Sequence, residues 1–155
     1  MPLGVVAVVL TEDPNVAMIA FTGSTAVAAE YLDRLADRAA NLAVGDPHRA
    51  QVALGPLISE RQPQNVDRIV TATVKVGAEV RAGATYQQLF YAPTVPAGVT
   101  SDMPAFREEI FGPVAPVVVV KDEAEAIAVA NDTEYGLVAP SRPDLGIAVV
   151  LSPSS

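Results

Sequence analysis

The pattern of apolar and polar positions along the chain predicts strands and helices that alternate in sequence. Apolar runs, several of them β-branched, predict buried strands at 4–10, 16–21 and 117–120. Apolar residues at helical spacing predict amphipathic helices at 25–42, 59–76 and 123–131. Short strands at 79–82 and 89–95, a turn at 83–88 and an irregular connector at 100–107 are expected between the last two helices. This order predicts an α/β fold in which three helices pack on a mixed sheet of five or six strands.

The helical spacing also predicts which face of each helix is buried. The positions expected to be buried are Leu32, Leu35, Ala36 and Ala39, then Ile69, Val70, Thr73 and Val76, then Ala124, Ile127 and Ala128. Gly45 and Pro47 are expected to end the first helix, and Gly77 the second. The acidic residues that open the third helix favour its dipole, so we interpret them as helix stabilisers and not as a metal site: Asp122, Glu123 and Glu125.

Composition narrows the classes of partner. The 155 residues are enough for one domain, and half of them are apolar. A net charge of −8 and a pI near 4.5 argue against nucleic acid and anionic membranes as partners. There is no cysteine, so no disulfide and no cysteine-ligated metal can form. The apolar start at 1–10 lacks a basic flank and is too short to span a bilayer, so a cytoplasmic location is expected by default.

The segment at 104–120 carries the first candidate chemistry. It joins a charged turn to the valine run at 117–120, and ligands in open α/β sheets lie at strand ends and in adjoining loops. The carboxylate of Glu109 and the ring of Phe111 are therefore candidate ligand contacts. The alternative is that this segment is only a solvated turn before a core strand.

A second candidate site follows the predicted strand at 16–21. Gly23 and Ser24 open the first helix, where backbone amides and the helix dipole favour an anion. The alternative is that Ser24 or Thr25 only caps the helix. His48, the single histidine, is expected to be a solvated loop residue, and Asp46 is expected to order that loop.

Six short motifs in one order point to a known family. The sequence FREEIFGPV at 106–114 resembles the Glu-x-Phe-Gly-Pro motif of the aldehyde dehydrogenase superfamily. The other five motifs, which resemble family motifs in the same order, lie at 21–25 (FTGST), 44–47, 54–58, 91–95 and 131–137. The resemblance implies an α/β, incomplete three-layer sheet-and-helix domain like the family's catalytic domain at 26–155. Residues 1–25 would be a remnant of the NAD(P)-binding domain.

The resemblance also assigns roles to residues. In the family, a cysteine thiolate attacks the aldehyde, hydride passes to NAD or NADP, and a glutamate-activated water releases the acid. Here Glu109 would accept hydrogen bonds from the nicotinamide-ribose hydroxyls, Phe111 would pack near the nicotinamide ring, and Gly23 and Ser24 would contact the pyrophosphate. Ala28 stands where the family commonly has a second glycine, which predicts weakened or lost cofactor binding.

No catalytic residue can be assigned in this chain. It contains no cysteine, and the family's segment with the nucleophile and the glutamate base, which follows the cofactor turn, has no counterpart before Gly45. The resemblance therefore predicts an NAD(P)-dependent oxidoreductase by descent that is inactive as this chain. The alternatives are a non-enzymatic module that binds a nicotinamide nucleotide or associates with itself or a full-length relative, and the product of a decayed gene.

Overall fold

The computed structural model describes residues 19–22 and 25–132. Its strands are β1 (Ile19–Thr22), β2 (Glu79–Ala82), β3 (Tyr86–Gln87), β4 (Phe90–Tyr91), β5 (Val95–Ala97) and β6 (Val117–Val120). Its helices are α1 (Thr25–Asn41), α2 (Arg61–Lys75), α3 (Pro104–Arg107) and α4 (Glu123–Asn131). The strand predicted at 4–10 lies outside the described residues. Among the helices of the described part, none has the length and apolar character needed to cross a membrane.

The described strands form one mixed sheet and one separate hairpin. The sheet has the order β1-β6-β5-β2, in which β6 runs parallel to both β1 and β5, and β2 runs antiparallel to β5. The hairpin pairs β3 with β4. The α/β prediction is confirmed, and each of the four predicted strands within the described residues contributes a strand to the one mixed sheet. Four strands form the sheet, and β3 and β4 pair only with each other.

Helices cover both faces of the sheet, which gives the predicted three layers. Successive residues of a strand point to opposite faces, so Val117 and Val118 of β6 belong to different cores. On one face, Val117 and Val95 pack against three buried residues of α1, which are Tyr31, Leu35 and Ala39. On the other face, Val118 and Val120 pack with residues of α2, α3 and α4, among them Ile69, Phe106 and Val129.

The bounds of β6 agree with the prediction. The predicted burial is confirmed for three of its four valines. Val117, Val118 and Val120 are buried, whereas Val119 is 49% exposed. Val119 shares a face with Val117, and α1 contacts β2 and β5 on that face of the sheet. The covering helix therefore protects the beginning of β6 and leaves Val119 open.

Helix α1 has the predicted faces and ends within one residue of the predicted bound at 42. Leu35, Ala36 and Ala39 are buried, and Leu32 is partly buried against the same core. The helix ends at Asn41, before Gly45, because the chain then folds back and pairs with a later segment. The main-chain nitrogen of Leu54 donates to the carbonyl of Ala43, and that of Gly45 donates to the carbonyl of Leu54.

Helix α2 confirms most of its predicted buried face. Ile69, Val70 and Thr73 are buried. The prediction for Val76 is wrong, because that side chain is 59% exposed. Val76 follows the last helical residue, at the point where the chain turns through Gly77 with a φ of +120°. Gly77 therefore ends the helix as predicted. Because Val76 follows the last helical residue, its side chain does not share the buried face of α2.

The strand predicted at 89–95 is two short strands in the structure. Thr94 interrupts it, since its buried hydroxyl accepts a hydrogen bond from the Ala84 nitrogen (2.7 Å) and donates one to the Ala92 carbonyl (2.8 Å). The segment predicted as a turn at 83–88 contains β3, which pairs with β4. The hydrogen bonds of Thr94 therefore separate the hairpin from the main sheet.

The connector predicted to be irregular at 100–107 contains the short helix α3. Pro104 stands at its beginning, where a missing N–H costs nothing. The Thr73 hydroxyl donates to the Ile69 carbonyl (2.8 Å) and accepts from the Ala105 nitrogen (2.9 Å). This buried threonine thus joins α3 to α2.

The acidic start of α4 stabilises the helix as predicted. The Asp122 carboxylate accepts a hydrogen bond from the Glu125 nitrogen (2.8 Å), and the Glu125 carboxylate accepts one from the Lys121 nitrogen (2.8 Å). The predicted burial of Ala124 and Ala128 is wrong, because both side chains are exposed.

The side chains of α4 that meet the core are those of Ala126 and Val129. Alanine-rich helices have a weak apolar signal, so the spacing did not separate the two faces. The side chains of Glu123 and Ile127 lie outside the described set.

Two glycines with positive φ provide a test of the packing around β2. A Cβ at Gly83 (φ +78°) would lie 2.2 Å from the Pro93 carbonyl oxygen, whereas a Cβ at Gly98 (φ +68°) would meet no atom within 4 Å. Both alanine variants should lose about 1–2 kcal/mol from the left-handed backbone. We expect Gly83→Ala to lose about 1–3 kcal/mol more in urea unfolding, because of the overlap. Equal losses in the two variants would contradict this packing.

Candidate functional site

The candidate site is the loop at 108–112, which joins α3 to the approach of β6. The Thr94 nitrogen donates to the Pro113 carbonyl (2.8 Å), and the Ala115 nitrogen donates to the Thr94 carbonyl (2.9 Å). The parallel bridge between Thr94 and Val114 keeps the same register as the pair Ala97 and Val117. The chain is therefore aligned with β5 from Val114 onward, and the loop lies just before this extended segment.

The loop is packed against α2 through its smallest residue. A Cβ on Gly112 would lie 2.7 Å from a γ-carbon of Val66, which is fully buried in α2. The Gly112 nitrogen donates to the Ile110 carbonyl (3.0 Å), and Ile110 is partly buried against the core. The side chain of Ile110 thus packs inward, while the residues on either side of it, Glu109 and Phe111, are exposed.

Those neighbours are the two loop residues singled out in the sequence. Glu109 is exposed, and in the part of the chain that the structure describes its carboxylate makes no hydrogen bond or ion pair. Phe111 is 61% exposed, which is unusual for an aromatic ring in a domain of this size. The structure therefore brings Glu109 and Phe111 together on one solvent-facing loop, where both are available to a ligand.

Glu108, by contrast, is engaged by α2. Its carboxylate accepts hydrogen bonds from both terminal nitrogens of Arg68, at 2.5 Å and 3.3 Å. The Asn65 side-chain oxygen accepts two further hydrogen bonds from the same guanidinium, at 2.9 Å and 3.2 Å. The hydrogen bond from Arg68, reinforced by its charge, lowers the pKa of Glu108 although partial burial opposes this shift.

A second contact from α2 reaches the other end of the loop. The Gln62 amide nitrogen donates to the Phe111 carbonyl (2.9 Å), and its oxygen accepts from the Ile58 nitrogen (3.2 Å). Neither Gln62 nor Arg68 was identified from the sequence. Their polar character places them on the exposed side of a helix, and that signal does not specify a partner in a distant loop.

The other two predicted site residues, Gly23 and Ser24, lie outside the described residues. The elements beside them are described, since β1 ends at Thr22 and α1 begins at Thr25. Thr22 pairs in register with Val120, at the far end of β6 from the loop. Six residues of extended chain separate Val114 from Val120, or roughly 20 Å.

A common site for the turn at 23–24 and the loop stays a prediction.

The predictions for the loop around His48 are confirmed. His48 is exposed, and its main-chain nitrogen donates to the Asp46 carboxylate (2.9 Å). Arg49 pairs with the same carboxylate at 3.4 Å. Asp46 therefore orders this turn. Within the described ranges no three His, Asp or Glu residues group in a way that could hold a metal ion.

These elements define a three-layer α/β domain with an exposed, anchored loop before its central strand. Residues 26–140 match the model of the aldehyde dehydrogenase family. Since the match includes well over half of the chain, the protein belongs to the aldehyde dehydrogenase family. The match contains the loop at 108–112 and begins after the turn at 21–25.

Individual relatives agree with this assignment. Vanillin dehydrogenase of Amycolatopsis sp. is 50% identical over 108 residues, which cover 70% of this chain and 22% of that protein. The NAD(+) benzaldehyde dehydrogenase of Pseudomonas putida is 50% identical over 113 residues, or 73% of this chain and 23% of that protein. The succinic semialdehyde dehydrogenase of Streptococcus pyogenes, solved with NADP+ as the cofactor, is similar with a TM-score of 0.71 at 32% identity. That likeness covers 77% of this chain and 27% of the solved chain. This protein thus spans about a fifth to a quarter of the length of the relatives it matches.

The lowered pKa of Glu108 predicts how the Arg68 contact depends on pH. A carboxylate with a depressed pKa stabilises the fold above the usual glutamate pKa, and this contribution is lost as the pH falls through the lowered value. We therefore expect wild type to be more stable than Glu108→Gln at neutral pH, with a difference that shrinks on acidification. Urea unfolding at several pH values would measure it, at low protein concentration because the pI is about 4.5.

The control for this measurement is the same substitution in an Arg68→Met background. Without the guanidinium, Glu108→Gln should cost little at any pH. A pH-dependent difference of the same size in both backgrounds would show that Arg68 is not its cause.

Proposed function

We propose that this protein presents the nicotinamide-facing loop of an aldehyde dehydrogenase and that the 155-residue chain by itself does not oxidise aldehydes. The observation that supports the lack of aldehyde oxidation is the absence of cysteine from the whole sequence. In the family that the motifs resemble, the oxidation begins with a thiolate that attacks the aldehyde. A serine or threonine hydroxyl is far less ionised near neutral pH and does not replace a thiol without an activating base.

The two exposed loop residues, Glu109 and Phe111, support the proposal of nucleotide binding. Glu109 is unpaired in the described part of the chain and lies two residues before Phe111, whose ring is exposed. A carboxylate accepts hydrogen bonds from two vicinal ribose hydroxyls, and an aromatic ring offers an apolar surface to a nicotinamide. Two similar proteins carry NAD(+) in the name or NADP+ in the crystal, so NAD and NADP are both candidate ligands.

The proposal assigns two parts of the chain to two domains of the family. Residues 1–25 are a remnant of an NAD(P)-binding domain, in which Gly23 and Ser24 would contact the pyrophosphate at the start of α1. Residues 26–155 correspond to the catalytic domain, which holds the loop. In this arrangement Ala28, in place of a second glycine, weakens the contact with the pyrophosphate.

The proposal predicts binding of a nucleotide without turnover. Purified protein should produce no reduced nicotinamide with NAD+ or NADP+ and benzaldehyde, vanillin or succinate semialdehyde, followed by absorbance. In calorimetric titrations, Glu109→Gln and Phe111→Ala should each weaken nucleotide binding. For Glu109 we expect about tenfold or more, since a hydrogen bond to a charged group contributes about 1.5–3 kcal/mol.

Matched controls lie on other parts of the surface. Glu30→Gln removes an exposed glutamate of α1, and Val76→Ala trims an exposed apolar side chain beyond the far end of α2. Neither should change the affinity. Turnover that persists through further purification would refute the inactivity, and equal affinities for Glu109→Gln and wild type would remove Glu109 from the site.

A second candidate function is association, either with another copy or with a full-length relative. The observation that favours it is the 49% exposure of Val119, an apolar side chain of a central strand. An uncovered apolar position in the middle of a sheet loses contact with water when a second surface covers it.

This candidate predicts self-association that depends on concentration in sedimentation velocity. Val119→Thr keeps the shape of the side chain, adds a hydroxyl and should shift the protein towards the monomer. Val76→Thr, at an exposed position after α2, is the control that should have no effect. A compact monomer of wild type at every concentration would contradict the proposal.

A further inference from the structure

One helix holds both ends of the candidate loop. Arg68 of α2 binds the side chain of Glu108 with two hydrogen bonds, and Gln62 of the same helix binds the carbonyl of Phe111. Between these contacts, Val66 of α2 lies against Gly112 without room for a further carbon atom. The only loop side chains left without such contacts in the described structure are those of Glu109 and Phe111.

We propose that Gln62 and Arg68 are positioning residues that hold the loop at 108–112 so that Glu109 and Phe111 face a nicotinamide nucleotide. This inference rests on the proposed function and extends it to two residues that do not touch the ligand. Gln62 acts through the main chain of Phe111, and Arg68 acts through Glu108.

The dimensions of helix and loop agree with a two-point attachment. Gln62 and Arg68 are six residues apart, which is about 9 Å along a helix. The chain from Glu108 to Phe111 can span at most about 10 Å. The two anchors are therefore nearly as far apart as the loop is long, so together they restrict both of its ends.

Asn65 strengthens the attachment on the Arg68 side. Its oxygen accepts from Nε and Nη2 of the guanidinium, while Nη2 and Nη1 donate to Glu108. Because Arg is planar and carries fixed donors, this arrangement favours the two-bond contact with a carboxylate. On the other side, Gln62 also accepts from the Ile58 nitrogen, so its amide group is held at both atoms.

Such anchors affect binding more than stability. Exposed ion pairs contribute little to the free energy of folding, since solvent screens them. A loop that is already ordered, however, loses less conformational entropy when a ligand binds. The anchors should therefore show their effect in nucleotide affinity and in loop order, with only small changes in global stability.

The test compares Gln62→Ala and Arg68→Met with matched controls. Gln64→Ala removes an exposed glutamine of the same helix, and Arg34→Met breaks an exposed ion pair on α1. We expect about threefold to tenfold weaker binding of NAD+ or NADP+ in each anchor variant and no change in the controls. Arg68→Lys keeps the charge but not the paired donors, and it should restore only part of the affinity.

Amide hydrogen exchange gives a readout that does not depend on the nucleotide. The Gly112 and Val114 amides are hydrogen-bonded within the loop region, and they should exchange faster in the anchor variants at unchanged global stability. Unchanged exchange and affinity in both anchor variants, in a wild type that binds nucleotide, would overturn the positioning role alone. Failure of wild type to bind either nucleotide would overturn the proposed function. The positioning role of Gln62 and Arg68 towards a nucleotide would then be overturned as well.

Discussion

The structure depends on the burial of β6 between two parallel neighbours. A strand that pairs on both edges and packs on both faces needs apolar side chains throughout, and the four consecutive valines meet this need over most of their length. The same pairing continues before the strand, through Thr94 and Val114. Because this extension fixes the direction of the chain, it also fixes where the loop at 108–112 emerges beside α2.

The loop satisfies two opposite requirements within five residues. Ile110 and Gly112 pack inward against α2 and its neighbours, which ties the backbone to the core. Glu109 and Phe111 point outward, and the second of these leaves an aromatic ring largely in water. Folding alone gains little from such a ring, so Phe111 offers apolar surface that packing within the described residues does not use.

The sequence predicted elements whose signals are local and missed those that depend on distant contacts. The bounds of β6 and α4 follow from a valine run and an acidic cap, and both agree with the structure. The split at 89–95 depends on the hydrogen bonds of Thr94, which no periodicity reveals. Motif resemblance predicted Glu109 and Phe111 as site residues, but the side chains of α2 that bind the loop lie 40 and 49 residues from their partners Glu108 and Phe111.

The contacts that hold the loop at 108–112 are independent of any catalytic group. Hydrogen bonds from Gln62 and Arg68 and the packing of Gly112 on Val66 involve no thiol and no general base. A chain can therefore lack a nucleophile while the forces that shape this loop are unchanged. Ligand affinity and turnover are in general separate physical properties, since affinity depends on an ordered surface and covalent catalysis depends on an activated nucleophile.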